Sequence, residues 1–397
     1  MRIRTASVST AAALALLVTG CAAEDPADTT DTAAPAPQAS GGAGGGTGED
    51  CVLEEPVPVG AALSLTGAAA SYGQSQQKGL EVALDDLAAK EGVTYELAIE
   101  DDATDPKQGI AVFEQFISRE PVSIIVGPTL SNAAKTTNPI AQEEGVPVLG
   151  ISNTAAGITE IGDFVFRNSL PETAVIPQTI AKAKESLGLE RVVVMYSNDD
   201  AFTESGYTAF QAALEEEGLE TLETLTFSKA DTDFRALLTE AKAAQPDALV
   251  VSGLIEAAIP LVTQARELGI DVPIIGGNGF NSPQLMADAG EAAEGVIVGA
   301  AWNSASESPE NAAFLEAFEA KHGGSPDQFA AQAYTGMILV DAAVRAGCSA
   351  ERTDIQANLG TLKDVPTPLG TFSFENREPQ HPAVVQIVEG GSFAVLD

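Results

Sequence analysis

Two groups of hydroxyl and amide side chains stand where apolar runs give way to helical ones. Thr129 and Ser131 follow Val126-Gly127-Pro128, and Ser152, Asn153 and Thr154 follow Val148-Leu149-Gly150-Ile151. Each group lies just before a stretch of helical periodicity. Free backbone N–H groups at a helix start, joined by a side-chain hydroxyl, make a site for a carboxylate. Helix capping is the competing use of either group alone; two groups after neighbouring strands favour a binding site.

Residues suited to catalysis are scarce. His322 and His381 are the two histidines, in Lys321-His322-Gly323-Gly324 and Gln380-His381-Pro382, both loop-like contexts. No G-x-S-x-G elbow, H-E-x-x-H helix or Walker loop is present. The acid pairs Asp101-Asp102 and Asp199-Asp200 end apolar runs, and adjacent side chains do not readily face one reacting centre, so turn formation and helix capping are their expected use. No catalytic residue, metal site or cofactor is expected, and the chain does not read as an enzyme.

The elements that would carry these groups alternate almost without interruption. Val57 to Leu65, Tyr95 to Asp101, Val122 to Val126, Val146 to Ile151, Arg191 to Tyr196, Ala248 to Ser252, Val272 to Ile275 and Gly295 to Ala301 read as strands. Helical stripes centred near Phe113, Ala141, Ala181, Ala212, Leu237, Val262 and Phe318 separate or follow them, and Leu80, Val82, Ala83, Leu84 and Leu87 form another between the first two strands. Such alternation specifies parallel sheets covered on both faces, with ligands bound beyond the carboxyl ends of the strands. Gly370 to Phe374 and Ala383 to Val388 read as two antiparallel strands. Residues 52–397 exceed the roughly 250–300 at which one core usually splits, so two lobes are expected.

The formal charge of −37 comes from 57 acids against 20 bases, and basic clusters are absent, which disfavours nucleic acid. A solvated acidic surface is the ordinary meaning of such a balance; attraction of cations is the other.

The chain begins Met1-Arg2-Ile3-Arg4, continues with an apolar run from Ala11 to Val18, and reaches Leu17-Val18-Thr19-Gly20-Cys21. This resembles a bacterial lipoprotein export signal, and the apolar run is too short to span a bilayer. The resemblance implies cleavage of residues 1–20, lipidation of Cys21 and residence on the outer face of the cytoplasmic membrane. Residues 21–51 then form a tether, rich in Ala, Pro, Thr, Asp and Gly and unable to bury a core. Cys51 and Cys348 remain. Cys348 ends an apolar helix from about Asp327 to Gly347, and helices on a parallel sheet end near where strands begin. A Cys51–Cys348 disulfide is therefore geometrically sensible, with two free thiols as the alternative.

From about Pro56 to Asp397 the chain resembles the type I periplasmic-binding-protein family, in its leucine/isoleucine/valine-binding branch. The resemblance rests on Leu63-Ser64-Leu65-Thr66-Gly67 with Ser71-Tyr72-Gly73, Asp101-Asp102-Ala103-Thr104-Asp105-Pro106, Val126-Gly127-Pro128, Ser152-Asn153-Thr154, Asn198-Asp199-Asp200-Ala201-Phe202 and Ala293-Glu294-Gly295, in this order. It implies an α/β fold of two doubly wound parallel-sheet lobes joined by three crossings, with lobe I at 52–168 and 302–366 and lobe II at 169–301 and 367–397. It further implies a monomer that holds a small-molecule solute between its lobes and presents it to the membrane permease of an ABC importer; an anchored sensor for a membrane receptor would use the same cleft.

By the same resemblance, Ser131 and Thr154 match hydroxyls that bind an amino-acid carboxylate, with Ser152 and Asn153 supplying backbone groups. Tyr72, Phe202 and Phe329 match cleft aromatics, Phe202 standing where many members have Tyr; Tyr334 reads as packing. Leu254 and Asn278 are departures: Leu254 replaces a usual Tyr, and Asn278 replaces the Glu that pairs with the ligand ammonium. Either another acid such as Glu256 supplies that charge, or the ligand is a small amide or organic acid. The family's usual disulfide positions align with Thr104 and Leu130, so that bridge is missing.

Overall fold

The computed structural model describes residues 48–396, so Cys21, its signal and nearly all of the expected tether lie outside the described residues. The first sheet is wholly parallel and built from β1 (Val57–Leu63), β2 (Tyr95–Asp101), β3 (Ile124–Val126), β4 (Val148–Gly150) and β5 (Val165–Arg167) in the order β2-β1-β3-β4-β5. Every residue of β1 except Pro58 is buried, as a strand covered on both faces requires.

The second sheet takes β6 (Arg191–Ser197), β7 (Glu220–Phe227), β8 (Ala248–Ser252), β9 (Ile274–Gly276) and β10 (Val296–Ala300), all parallel in the order β7-β6-β8-β9-β10. Three strands, β11 (Val365–Thr367), β12 (Gly370–Glu375) and β13 (Glu378–Gln380), make a small antiparallel sheet. The last two, β14 (Val384–Glu389) and β15 (Ser392–Val395), extend the second sheet antiparallel beyond β10. This is the α/β fold with two sheets that the sequence predicts.

Helices from both halves of the chain complete the first core. Helix Ala70–Ala88 lies along helix Gln328–Gly347, and Gly79 permits the approach, because a Cβ there would collide with the carbonyl of Ala330. Leu80, Ala83 and Leu87 meet Met337, Val340 and Val344 in this core, while Leu84 is only partly buried. The chain passes between the sheets after β5, after β10 and after β13.

The last passage corrects the expected boundary at 367. Leu369, Phe372 and Phe374 belong to the first core, with the Phe374 ring 5.5 Å from Phe166 and 4.9 Å from Phe372. Their burial holds the chain against the first sheet until Val384. The segments at 370–374 and 383–388 are both antiparallel strands, but they lie in different sheets.

Cys51, just ahead of β1, is bonded to Cys348 at the end of helix Gln328–Gly347, with Cα atoms 5.3 Å apart. Among the described residues no helix is long and apolar enough to cross a membrane.

Candidate functional site

The loops after β3 and β4 are held to each other and to helix Ala70–Ala88 by a buried polar network. Gly127, at φ +110°, turns the chain after β3 where a side chain would strike the Ala62 carbonyl, and a cis peptide leads to Pro128. Thr129 Oγ1 accepts from Ser64 N at 3.0 Å and donates to Gln76 Oε1 at 2.6 Å. Gln76 Nε2 donates to Ser152 Oγ at 2.7 Å, and Ser152 Oγ donates to the Thr129 carbonyl at 2.5 Å. Asn153 Nδ2 donates to the Pro128 carbonyl at 2.8 Å. Pairing of this kind, which leaves only Asn153 Oδ1 of these side-chain atoms without a partner, fixes buried loops in one arrangement.

Arg167, 3% exposed, braces the second loop from behind. Its Nη1 donates to the carbonyls of Asn153 at 2.9 Å and Ala155 at 2.6 Å. Its Nε and Nη2 each meet a Glu378 carboxylate oxygen at 2.8 Å.

The capping alternative fails for Ser131. No side chain caps helix Ser131–Glu143, and Ser131 Oγ instead accepts from Ala155 N at 3.3 Å. The helix start thus keeps its N–H groups for another acceptor. The paired acids do serve as caps and turn ties: Asp200 accepts from Phe202 N and Thr203 N, Asp101 from Leu65 N and Ala103 N, and Asp199 from Lys229 N.

Seven of the nine expected ligand residues, Tyr72, Ser131, Ser152, Phe202, Leu254, Asn278 and Phe329, line one cavity together with Thr129, Leu130 and Gly279. Asn153 and Thr154 are buried and do not line it. The cavity holds about 20 Å³, room for about one water. Aromatic and aliphatic groups fill the rest: Tyr72 packs 4.5 Å from Phe329 between ring centroids. Its hydroxyl donates to the Gly279 carbonyl at 2.6 Å and accepts from Ile255 N at 2.8 Å. Asn132 also reaches across, to Ala201 N at 2.8 Å and to the Asp200 carboxylate. The two sides of the cleft are therefore drawn together.

Asn278 is held through its side-chain oxygen and its backbone. Its Oδ1 accepts from Gln328 Nε2 at 2.6 Å, and its backbone N–H donates to Glu172 Oε1 at 3.2 Å. The same Glu172 oxygen accepts from Thr154 Oγ1 at 3.3 Å. Glu172 is 2% exposed, and burial pushes its carboxyl up to about 7, against the opposing pull of the Asn278 and Thr154 hydrogen bonds. The sequence reading missed this acid. Its one local signal is an acidic residue opening a helix just after Pro171.

Glu256, the acid suggested by sequence, lines a second cavity of about 290 Å³ that shares Leu130 and Leu254 with the first. Burial, with Asp200 nearby, pushes its carboxyl to about 7, and its Oε1 has no hydrogen-bond partner. Tyr334 lies away from the cleft, donating to Asp86 Oδ2 at 2.7 Å and packing 4.8 Å from Phe314.

A family model described as periplasmic binding protein matches residues 56–392. The Leu/Ile/Val-binding protein BraC3 of Rhizobium johnstonii is 27% identical over 324 residues, covering 80% of this chain and 87% of its own. Among solved structures, the branched-chain amino acid transporter substrate-binding protein LivJ of Streptococcus pneumoniae, in complex with isoleucine, is 29% identical with a TM-score of 0.81, over 85% of this chain and 98% of that one. The leucine-binding protein LivK of Thermotoga maritima is 25% identical with a TM-score of 0.82, over 85% and 97%.

Proposed function

Because this chain belongs to the periplasmic binding protein family, we propose that it is an extracytoplasmic, lipid-anchored receptor for a small α-amino acid, delivering it to the permease of an ABC importer. It performs no chemistry on its ligand. The observation that carries the ligand class is the convergence of Ser131, Ser152 and an uncapped helix start on one cavity walled by Tyr72, Phe202, Leu254 and Phe329.

The roles follow from the groups. The N–H groups at the start of helix Ser131–Glu143, with the Ser131 hydroxyl, take the carboxylate. Thr154, expected among the hydroxyls that take the carboxylate, donates to Glu172 instead. Neither residue lines the closed cavity; once the cleft opens the pair offers oxygens to the ammonium, Glu172 supplying the charge expected from position 278. An ammonium there would pull the Glu172 carboxyl down from about 7 and leave it ionised. Leu254 and the three rings meet the aliphatic part of the ligand's side chain, as they would in the branched-chain amino acids that the relatives' names mention.

A cavity with room for about one water cannot admit even alanine, so entry requires the two sides to part. Hinge opening at the three passages, followed by closure on the ligand, couples occupancy to shape by differential affinity. Cys21 lipidation and a tether of about thirty residues, up to ~100 Å when extended, would keep the receptor beside its permease.

A ligand without an ammonium is the second reading, favoured by Asn278, whose amide oxygen is already taken by Gln328. Thermal denaturation of protein that has been unfolded, dialysed and refolded, against a panel of amino acids, amides and organic acids, separates the two. A ligand bound by the native state raises stability by RT ln(1 + [L]/Kd). Shifts with amino acids support the proposal, shifts with organic acids alone transfer it to the second reading, and no shift across the panel removes both.

A further inference from the structure

The 290 Å³ cavity beside the amino-acid pocket has a lining that the first reading does not use. Four carboxylates, Asp102, Asp105, Asp200 and Glu256, face it against one cation, Lys229. The Asp200 carboxylate is occupied by Phe202 N, Thr203 N and Asn132. Asp102 is not so satisfied: it is 1% exposed, its Oδ1 accepts from Ser64 Oγ at 2.6 Å and Thr104 N at 2.9 Å, and its Oδ2 has no partner. Glu256 Oε1 is likewise buried without a partner.

Both oxygens are shut off in this closed arrangement, and unpaired carboxylate oxygens are costly to bury unless opening of the cleft lets a donor reach them. Among the described residues no group of three or more His, Cys, Asp or Glu could hold a metal ion; an organic cation carries both the donors and the charge that this lining lacks. The way from the first cavity runs past Leu130 and Leu254, which border both, and Glu256 lies two residues beyond Leu254. An excess of acids over bases, with a formal charge of −37, also draws cations towards the cleft.

We propose that this cavity is a second subsite of the cleft, and that the solute is an α-amino acid whose side chain passes Leu130 and Leu254 and ends in an ammonium or guanidinium group beside Glu256 and Asp102. This rests on the reading of the smaller cavity as the amino-acid site. The aliphatic part of such a side chain meets the two leucines, and its charged end supplies the missing donors.

Isothermal titration of the refolded full chain compares lysine and arginine with norleucine and leucine, the uncharged ligands removing the cation without altering the protein. Lysine should bind at least tenfold tighter than norleucine, and Glu256→Gln or Asp102→Asn, whichever folds as judged by circular dichroism, should cut that preference at least fivefold. Equal or tighter binding of norleucine overturns the subsite, as does a preference that survives the substitutions, while leaving the amino-acid receptor standing. Binding by none of the four, in a protein that also fails the wider solute panel, removes the receptor reading itself. A calcium chloride arm that saturates the same site would replace the organic cation with a metal and so overturn the proposal.

Discussion

Glu172 accepts the backbone N–H of Asn278 at 3.2 Å, so an acid from another element stands beside the position where the family resemblance implies a Glu. Glu172 opens the first helix after the passage from β5, whereas Asn278 follows β9. Replacing the acid by its amide keeps the shape and removes the charge. Glu172→Gln should weaken binding of an α-amino acid by about 1.5–3 kcal/mol, the range for a hydrogen bond to a charged group, or roughly tenfold to a hundredfold in Kd. Calorimetric titration reads this, and an unchanged Kd would remove Glu172 from ammonium recognition.

The same acid gives the ligand-free protein a pH dependence. Burial raises Glu172 and Glu256 from 4.5 to about 7 in the folded state, so between those values the folded chain holds more protons than the unfolded one. Their contribution to stability is complete below pH 4.5 and is lost as pH rises through 7. His381, lowered to about 4 by burial, acts oppositely, its stability rising from pH 4 to 6.5. Melting temperature against pH should therefore fall less steeply between pH 5 and 7.5 in Glu172→Gln than in the parent chain.

Tyr72→Phe keeps the ring against Phe329 and deletes the hydroxyl that joins Gly279 to Ile255. Leaving a buried N–H and a carbonyl unpaired costs about 1–3 kcal/mol. Small-angle scattering without ligand should show a larger radius of gyration as the closed arrangement loses its tie. An unaltered radius and denaturation midpoint would show that the hydroxyl does not hold the cleft shut.

Arg167→Lys tests whether the loop Ser152–Thr154 needs its brace. Lysine retains the charge but not the fork that pairs with both Glu378 oxygens while donating to the Asn153 and Ala155 carbonyls. Ligand affinity should fall together with stability, the latter by roughly 1–3 kcal/mol. Loss of stability with full affinity would make the brace purely structural.

Removing the disulfide by Cys51→Ser with Cys348→Ser should lower the denaturation free energy by about 2–5 kcal/mol, because the bond closes a sequence separation of 297 residues. Affinity should hold, since neither cysteine lines the cleft cavities.

What the sequence disclosed follows the strength of its local signals. Tyr95–Asp101 and Ala248–Ser252 were legible to the residue, the first as a short β-type segment closed by Asp101-Asp102 and the second as an apolar run closed by Gly253. β5, with three residues, is too short to display a period, and β7 is an edge strand whose Glu220, Thr221 and Glu223 disguise it. Ser131, Ser152, Asn153 and Thr154 were readable because they follow strand ends, whereas Tyr72, Phe202, Leu254, Asn278 and Phe329 came only with the family resemblance. Glu172 and Gln328 were not readable, since their partners Thr154 and Asn278 lie 18 and 50 residues away, and no periodicity reports a contact made across a passage between sheets. The boundary at 367 failed for a related reason: the burial of Phe372 and Phe374 is decided by Phe166, a residue far upstream.

The position of Cys51 sets a load path. Tension applied to residues ahead of it enters the fold at a covalent bond to the end of helix Gln328–Gly347 before reaching β1. That helix lies along Ala70–Ala88 and carries Phe329 into the cleft wall, so a pull is spread across the first core rather than peeling β1 from its neighbours. Strain from the amino-terminal side would have to shear a helix pair instead of unzipping a strand.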